Sequence, residues 1–165
     1  MKSRHFLLLL VVVMSLLGAG CAPARSEMNY LTLGGRGEVR GEMNGLEFSA
    51  VIEISPSGDC VAVEYHSPEA LSSLKMTAQG ETCRVKLGDV DFVCDVDEVG
   101  GFLHPVTVFL PYVDAKTVQK EGENTVLTFP TGGKLTLSPK GDPVSFFGEG
   151  IALEVVWWEM GTEQK

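Results

Sequence analysis

The chain has 165 residues, 44% hydrophobic and 21% charged, the composition of one folded domain rather than of a multidomain machine or a disordered tail. Thirteen Lys and Arg stand against 22 Asp and Glu, a net charge of −9. That balance repels phosphate backbones and argues against a nucleic-acid partner, while 19 glycines suit a turn-rich β protein.

Residues 1–20 read as an export signal. Lys2 and Arg4 precede the apolar run Phe6 to Leu17, whose 12 residues match a signal-peptide core. They fall short of the roughly 20 that a membrane-spanning helix needs. Gly18-Ala19-Gly20 then leads into Cys21. Small residues before a cysteine resemble the lipobox of bacterial lipoproteins, where the cysteine is acylated and begins the mature chain. Gly18 stands where Leu is usual, with Leu17 one step earlier. We read Cys21 as the lipidation site; a plain secretory signal, with Cys21 a simple thiol, is the alternative.

Without Lys2 and Arg4 the mature chain keeps 11 basic against 22 acidic residues, net −11, so no basic patch serves anionic lipid. Attachment rests on acyl chains, each buried CH₂ contributing about 0.8 kcal/mol. The expected location is the extracytoplasmic side of the cell membrane. Residues 21–36, with Pro23 and Gly34-Gly35, read as a tether, and residues 37–165 as a single β domain.

From Val39 the period is two. Leu46, Phe48, Ala50, Ile52 and Ile54 alternate with polar neighbours as a half-buried strand. Ser55-Pro56-Ser57-Gly58-Asp59 turns the chain, and Val61, Val63 and Tyr65 continue the apolar face. Ser67-Pro68-Glu69-Ala70 predicts a helical turn with Ser67 as cap and Pro68 at the first helical position.

Three strands follow, Leu74 to Gln79, Thr82 to Leu87 and Val90 to Asp95, separated by Gly80-Glu81 and Gly88-Asp89. Glycine accepts positive φ at the first central position of a two-residue hairpin. Two such turns fix the register. One face then carries the rows Ala78–Cys83–Cys94, Met76–Val85–Phe92 and Leu74–Leu87–Val90, and the other is polar; a slip of one residue would invert both faces. Val99 to Glu123 loses the alternation, and His104 to Val118 predicts one or two short helices starting near Pro105 and Pro111. Strands resume at Asn124 to Phe129, Lys134 to Leu137, Val144 to Phe147 and Ile151 to Trp158. The turn Ser138-Pro139-Lys140-Gly141-Asp142 repeats the chemistry of Ser55 to Asp59.

Catalytic and metal signatures are absent from the sequence. His66 and His104 are the histidines of the mature domain, and no HxH, HExxH, CxxC or GxSxG occurs. The acidic groups Asp95/Asp97/Glu98 and Glu121/Glu123 read as solvated turns rather than Ca²⁺ sites. The expectation is a non-enzyme without cofactor. Of the three cysteines after Cys21, Cys60 falls out of phase with Val61 and should face away from the core. Cys83 and Cys94 are directly opposed, at a separation a disulfide can span, in an export compartment that permits one. Two reduced thiols packed as small hydrophobes fit the same register.

The run FSAVIEI…GDCVAVEYHSPEALSSLKMTAQGETCRVKLGDVDF, with Tyr65, Pro68 and Leu71 in a Y-x-x-P-x-x-L step, resembles the LolA/LolB-like lipoprotein-carrier superfamily and its clostridial-type lipoprotein relatives. The late GGKLTLSPKGDPVSF resembles their closing strands. The resemblance covers roughly Val39 to Glu159. It implies an α+β, mainly antiparallel fold: a curved sheet or incomplete barrel with short helices over its concave face, where acyl chains or another hydrophobic partner bind. The arginine that some carriers place near the ligand has no counterpart here. Leu74, Met76, Phe92, Phe109, Phe146 and Trp157 are the candidate wall of that hollow, with Pro105 to Val118 as its cover. Two functional classes follow: a module binding a lipid or a lipidated partner, or a structural or regulatory envelope lipoprotein with a filled core that acts through protein contacts.

Overall fold

The computed structural model describes residues 28–110, 115–148 and 150–161. The expected signal peptide, Cys21 and the residues Pro111, Tyr112 and Val113 of the expected cover lie outside them. Among the described residues a five-residue helix, α1 (Asn29–Leu33), precedes six strands: β1 (Gly35–Met43), β2 (Leu46–Ile54), β3 (Cys60–Ser67), β4 (Leu74–Gln79), β5 (Thr82–Leu87) and β6 (Val90–Asp95). Helix α2 (Val96–Thr107) leads to β7 (Thr117–Glu121), β8 (Asn124–Thr128), β9 (Lys134–Leu137), β10 (Pro143–Gly148) and β11 (Ile151–Met160). All strands join one antiparallel sheet in the order β6-β5-β4-β3-β2-β1-β11-β10-β9-β8-β7. The sheet is open and curved, an incomplete barrel. It consists of two meanders, β1–β6 and β7–β11, joined only where β1 meets β11.

The β4–β6 meander has the expected bounds and register, with Ala78 opposite Cys83 opposite Cys94 and Met76 opposite Val85 opposite Phe92. Gly80 and Gly88 both take φ of 59°, as two-residue turns demand. The Ser55 and Ser138 turns are built alike: each serine N–H donates across the turn, to the Cys60 and Asp142 carbonyls respectively, at 2.9 Å. Each serine Oγ accepts a backbone N–H, from Cys60 at 2.8 Å and from Asp142 at 3.2 Å.

Four expectations need correction. The helix begins at Val96, not near His104, and β7 occupies Thr117–Glu121. Val96, Val99, Leu103 and Val106 form an apolar stripe at helical spacing that packs on the sheet. Asp97 and Glu98 lie in the positive first turn and His104 in the last. Pro105 sits inside the final turn and is itself buried, so packing overrides its low propensity. Pro68 occupies the cap position rather than the first helical one, before the 3₁₀ turn Glu69–Leu71, and no side chain caps the N-terminus of that turn.

The packed body also starts earlier than residue 37. Met28 and Tyr30 are buried, and the Tyr30 O–H donates to the Phe109 carbonyl at 2.7 Å. The last nine residues of the expected tether, 28–36, therefore belong to the fold. The fourth correction concerns Trp157. Glu38 faces Trp157 but Val39 faces Val155, so Val156 is a β-bulge without a partner. The bulge shifts the phase by one: Leu153 and Val155 point inward before it and Trp158 after it, which turns Trp157 outward.

Candidate functional site: the concave face and its rim

The inward rows run across both halves of the sheet. One reads Trp158–Gly37–Ile52–Val63–Met76–Val85–Phe92. Another reads Phe48–Gly41–Leu153–Phe146–Leu135–Leu127–Val118. The central strand β1 contributes Gly35, Gly37 and Gly41 to this face. A Cβ on Gly35 would lie 2.5 Å from Cζ2 of Trp158, and one on Gly41 would overlap the Ala152 carbonyl oxygen. Bare backbone at the middle strand lets the sheet coil tightly and lets the Trp158 ring lie against it.

Of the expected wall residues, Leu74, Met76, Phe109 and Phe146 are buried in one continuous core. Met76 lines the β1–β6 half and Phe146 the β7–β11 half. Phe109, just beyond α2, meets Tyr30 edge-on at 6.4 Å, and Tyr30 meets Trp158 edge-on at 5.9 Å. Helix α2 lies over the sheet, and the Tyr65 O–H donates to the Phe102 carbonyl at 2.8 Å. The concave face is thus filled by α2, α1 and the segment around Phe109. Burial keeps the Tyr30 and Tyr65 phenols protonated well above the usual phenol range.

Two wall candidates lie elsewhere. Phe92 keeps its row but is 47% exposed, together with Leu87 and Val90. Trp157, 40% exposed, is on the outer face, where its indole N–H donates to Glu38 at 3.1 Å. Glu38 also accepts from Arg40, and these two hydrogen bonds hold its carboxyl below the usual range. What sequence reasoning missed is Trp158, whose doubling as Trp157-Trp158 leaves the inward ring ambiguous until the bulge is known.

Cys83 and Cys94 face each other as free thiols, and the Cys94 Sγ approaches the Cys83 carbonyl at 3.7 Å. Burial raises the pKa of Cys83, and the proximity of Cys94 adds to it. For Cys94 desolvation comes first, then Glu98 and Asp95. Among the described residues no three His, Cys, Asp or Glu cluster as metal ligands, and no helix is long and apolar enough to cross a membrane.

The strand directions give the half-barrel two rims. The near rim holds α1 and the turns at Ser55–Asp59, Gly80-Glu81, Gly122-Glu123 and Ser138–Asp142. Asn29 Nδ2 there donates to the Lys140 carbonyl at 2.6 Å. The far rim holds the turns Asn44-Gly45 and Gly88-Asp89 and the β3–β4, β8–β9 and β10–β11 connections. A groove of about 850 Å³ opens on the outer side toward the far rim, with Arg40, Glu42, Glu47, Phe147 and Glu154 among its lining residues.

No family model matches the chain, and no curated protein is significantly similar to it. Solved structures are. An uncharacterized conserved protein from Thermus thermophilus superposes with a TM-score of 0.55 at 15% identity, covering 85% of this chain and 86% of that one. A LolA superfamily protein from Nitrosomonas europaea aligns with a TM-score of 0.40 at 6% identity, over 88% of this chain and 96% of that one. The first likeness is one of fold.

Proposed function

We propose that the chain is a non-catalytic lipoprotein of the LolA/LolB-like superfamily, anchored through acylated Cys21 on the extracytoplasmic side of the membrane, whose half-barrel binds a hydrophobic ligand or a lipidated partner. The observation that carries the binding reading is the inward row through Met76 and Val85, which emerges from under α2 as exposed Phe92, flanked by Leu87 and Val90. Such a strip offers an apolar chain a continuous surface leading from solvent toward the core. Native mass spectrometry of the domain purified without detergent tests it, with titration by a fluorescent fatty acid. A co-purifying lipid, and saturable binding weakened by Phe92→Ser, are expected. No bound lipid and no saturable binding would overturn it.

A specific observation favours a second reading, an envelope lipoprotein acting through protein contacts. Met76, Phe109 and Phe146 are already packed, so an acyl chain has to displace side chains to enter. Ala78→Leu separates the two. Ala78 lies between Val61 and Cys83, and in a tight core the extra volume costs about 1–3 kcal/mol. Tolerance of leucine there would favour the ligand-binding reading.

A further inference from the structure

The open sheet has two edge strands, β6 and β7, and they differ in chemistry. An unpaired edge invites strand addition unless something blunts it, and a charge pointing to the inner face is one such device. On β7 that device is Lys120, in the inward row opposite Thr125, to whose hydroxyl its ammonium donates. On β6 the inward residues Val90, Phe92 and Cys94 carry no charge, and Val90, Phe92 and the outward Val93 are all exposed.

The hairpin turn decides which backbone groups of β6 are free. Leu87 and Val90 flank the two-residue turn Gly88-Asp89 and so exchange both backbone hydrogen bonds. The alternation gives Phe92 with Val85, and Cys94 with Cys83, the same role. It turns the N–H and C=O of Asp91 and Val93 away from β5, into solvent. An antiparallel strand added there must set residues of like face opposite one another. For a second copy of β6, two registers overlap most. One, centred on Val93, opposes Asp91 to Asp95 of the second copy at both ends. The other, centred on Phe92, opposes Phe92 to Phe92, Val90 to Cys94 and Asp91 to Val93, with no like charges facing between Val90 and Cys94. Asp91 and Val93 then form the hydrogen-bonded pairs, and the two Phe92 rings meet at a non-bonded pair, where side chains come closest. Each Asp91 keeps its own Arg84, at 2.8 and 2.7 Å, and Lys86 opposite it, so cations outnumber carboxylates at the centre of the seam. Asp95 falls opposite Asp89 of the second copy beyond the apolar pairs, where both are exposed.

We propose that β6 pairs with β6 of a second copy of this chain about a two-fold axis through Phe92, joining two half-barrels into one antiparallel sheet. The inward row Met76–Val85–Phe92 then continues into Phe92–Val85–Met76 of the second copy. The seam is independent of the ligand proposed above, because the rows join whether or not they hold a lipid. It is smaller than a standard interface, and the dimer is accordingly weak.

Sedimentation equilibrium tests the proposal on full-length protein in a detergent matched to the solvent density, at concentrations up to about 1 mM. A reversible monomer–dimer equilibrium is expected. Val93 is exposed on the outer face, so charged residues there leave the fold intact, which circular dichroism verifies. Val93→Glu faces Arg84 in its own chain but Asp91 across the seam, and should weaken association at least tenfold. Val93→Lys meets Asp91 across the seam and should associate at least fivefold more tightly than Val93→Glu. Val156→Glu and Val156→Lys, at an exposed site on β11, make the same changes of net charge and should show no such difference. A chain that stays monomeric overturns the second copy and leaves the edge to a strand of another protein. A ratio below fivefold between the two Val93 variants, or one equalled by the Val156 pair, overturns the seam.

Discussion

A Cβ built on Gly37 would sit 2.6 Å from Cε3 of Trp158 and 2.5 Å from the Trp157 carbonyl oxygen. One contact is with a ring held by Tyr30, the other with the backbone of the neighbouring strand, and neither can swing aside. Gly37→Ala should therefore destabilise the protein by about 1–3 kcal/mol, the range for overpacking a tight core. Urea unfolding followed by tryptophan fluorescence measures this, and an unchanged midpoint would contradict the packing of Trp158 over β1.

Tyr30 and Tyr65 should ionise only when the fold is lost. Burial raises both phenol pKa values in the folded state, whereas the unfolded chain releases these protons near pH 10. Above that pH the folded state holds more protons than the unfolded one, so stability falls as pH rises; below it the contribution is complete and flat. Absorbance at 295 nm should show two of the three tyrosines titrating with unfolding, and two or more freely titrating phenols in the native protein would contradict it.

Cys83 and Cys94, opposed across the β5–β6 hairpin, are expected to pair on oxidation and to leave Cys60 free. Closing a loop of about ten residues stabilises by about 2–3 kcal/mol in the entropic treatment, less any strain. The raised thiol pKa values keep both protonated at neutral pH, so oxidation should accelerate as pH rises above the ordinary thiol range. Peptide mapping without reductant provides the check, and a link from Cys60 to either partner would be inconsistent with the observed register.

Cys21→Ser should abolish lipid attachment and move the protein from the membrane fraction to the soluble one. Detergent phase partitioning reads this directly, and a variant that still partitions with detergent would remove the basis for acylation at this cysteine.

The β4–β6 meander was legible in the sequence because two Gly-polar turns and a strict alternation specify one register independently. The start of the fold was not. On β1 the inward residues are Gly35, Gly37, Val39, Gly41 and Met43, and glycine leaves no apolar signal to alternate. Helix α2 was hidden by Gly100-Gly101 and Pro105, which read as breakers while the buried stripe through Leu103 and Val106 outweighs them. Of the candidate wall, Leu74, Met76, Phe109 and Phe146 fall on the buried face because their strands or cover keep phase. Trp157 does not, since Val155-Val156-Trp157-Trp158 is apolar throughout and a bulge within it changes no letter of the pattern.

Every pairing in the sheet but one links strands consecutive in the chain; the exception, β1 with β11, joins residues more than a hundred positions apart. Each meander can zip up from its own turns at small entropic cost, whereas the seam must wait until most of the chain has been gathered. The seam is thus the natural bottleneck of folding, and it is also where the glycines and the bulge concentrate. Strain introduced in β5, whose meander forms before the seam, should chiefly slow refolding, while equal strain at Gly37 or Gly41 should divide between slower refolding and faster unfolding. A molecule built this way commits to its shape in one late step, and its lifetime before that step, as two half-sheets with open edges, sets its exposure to aggregation.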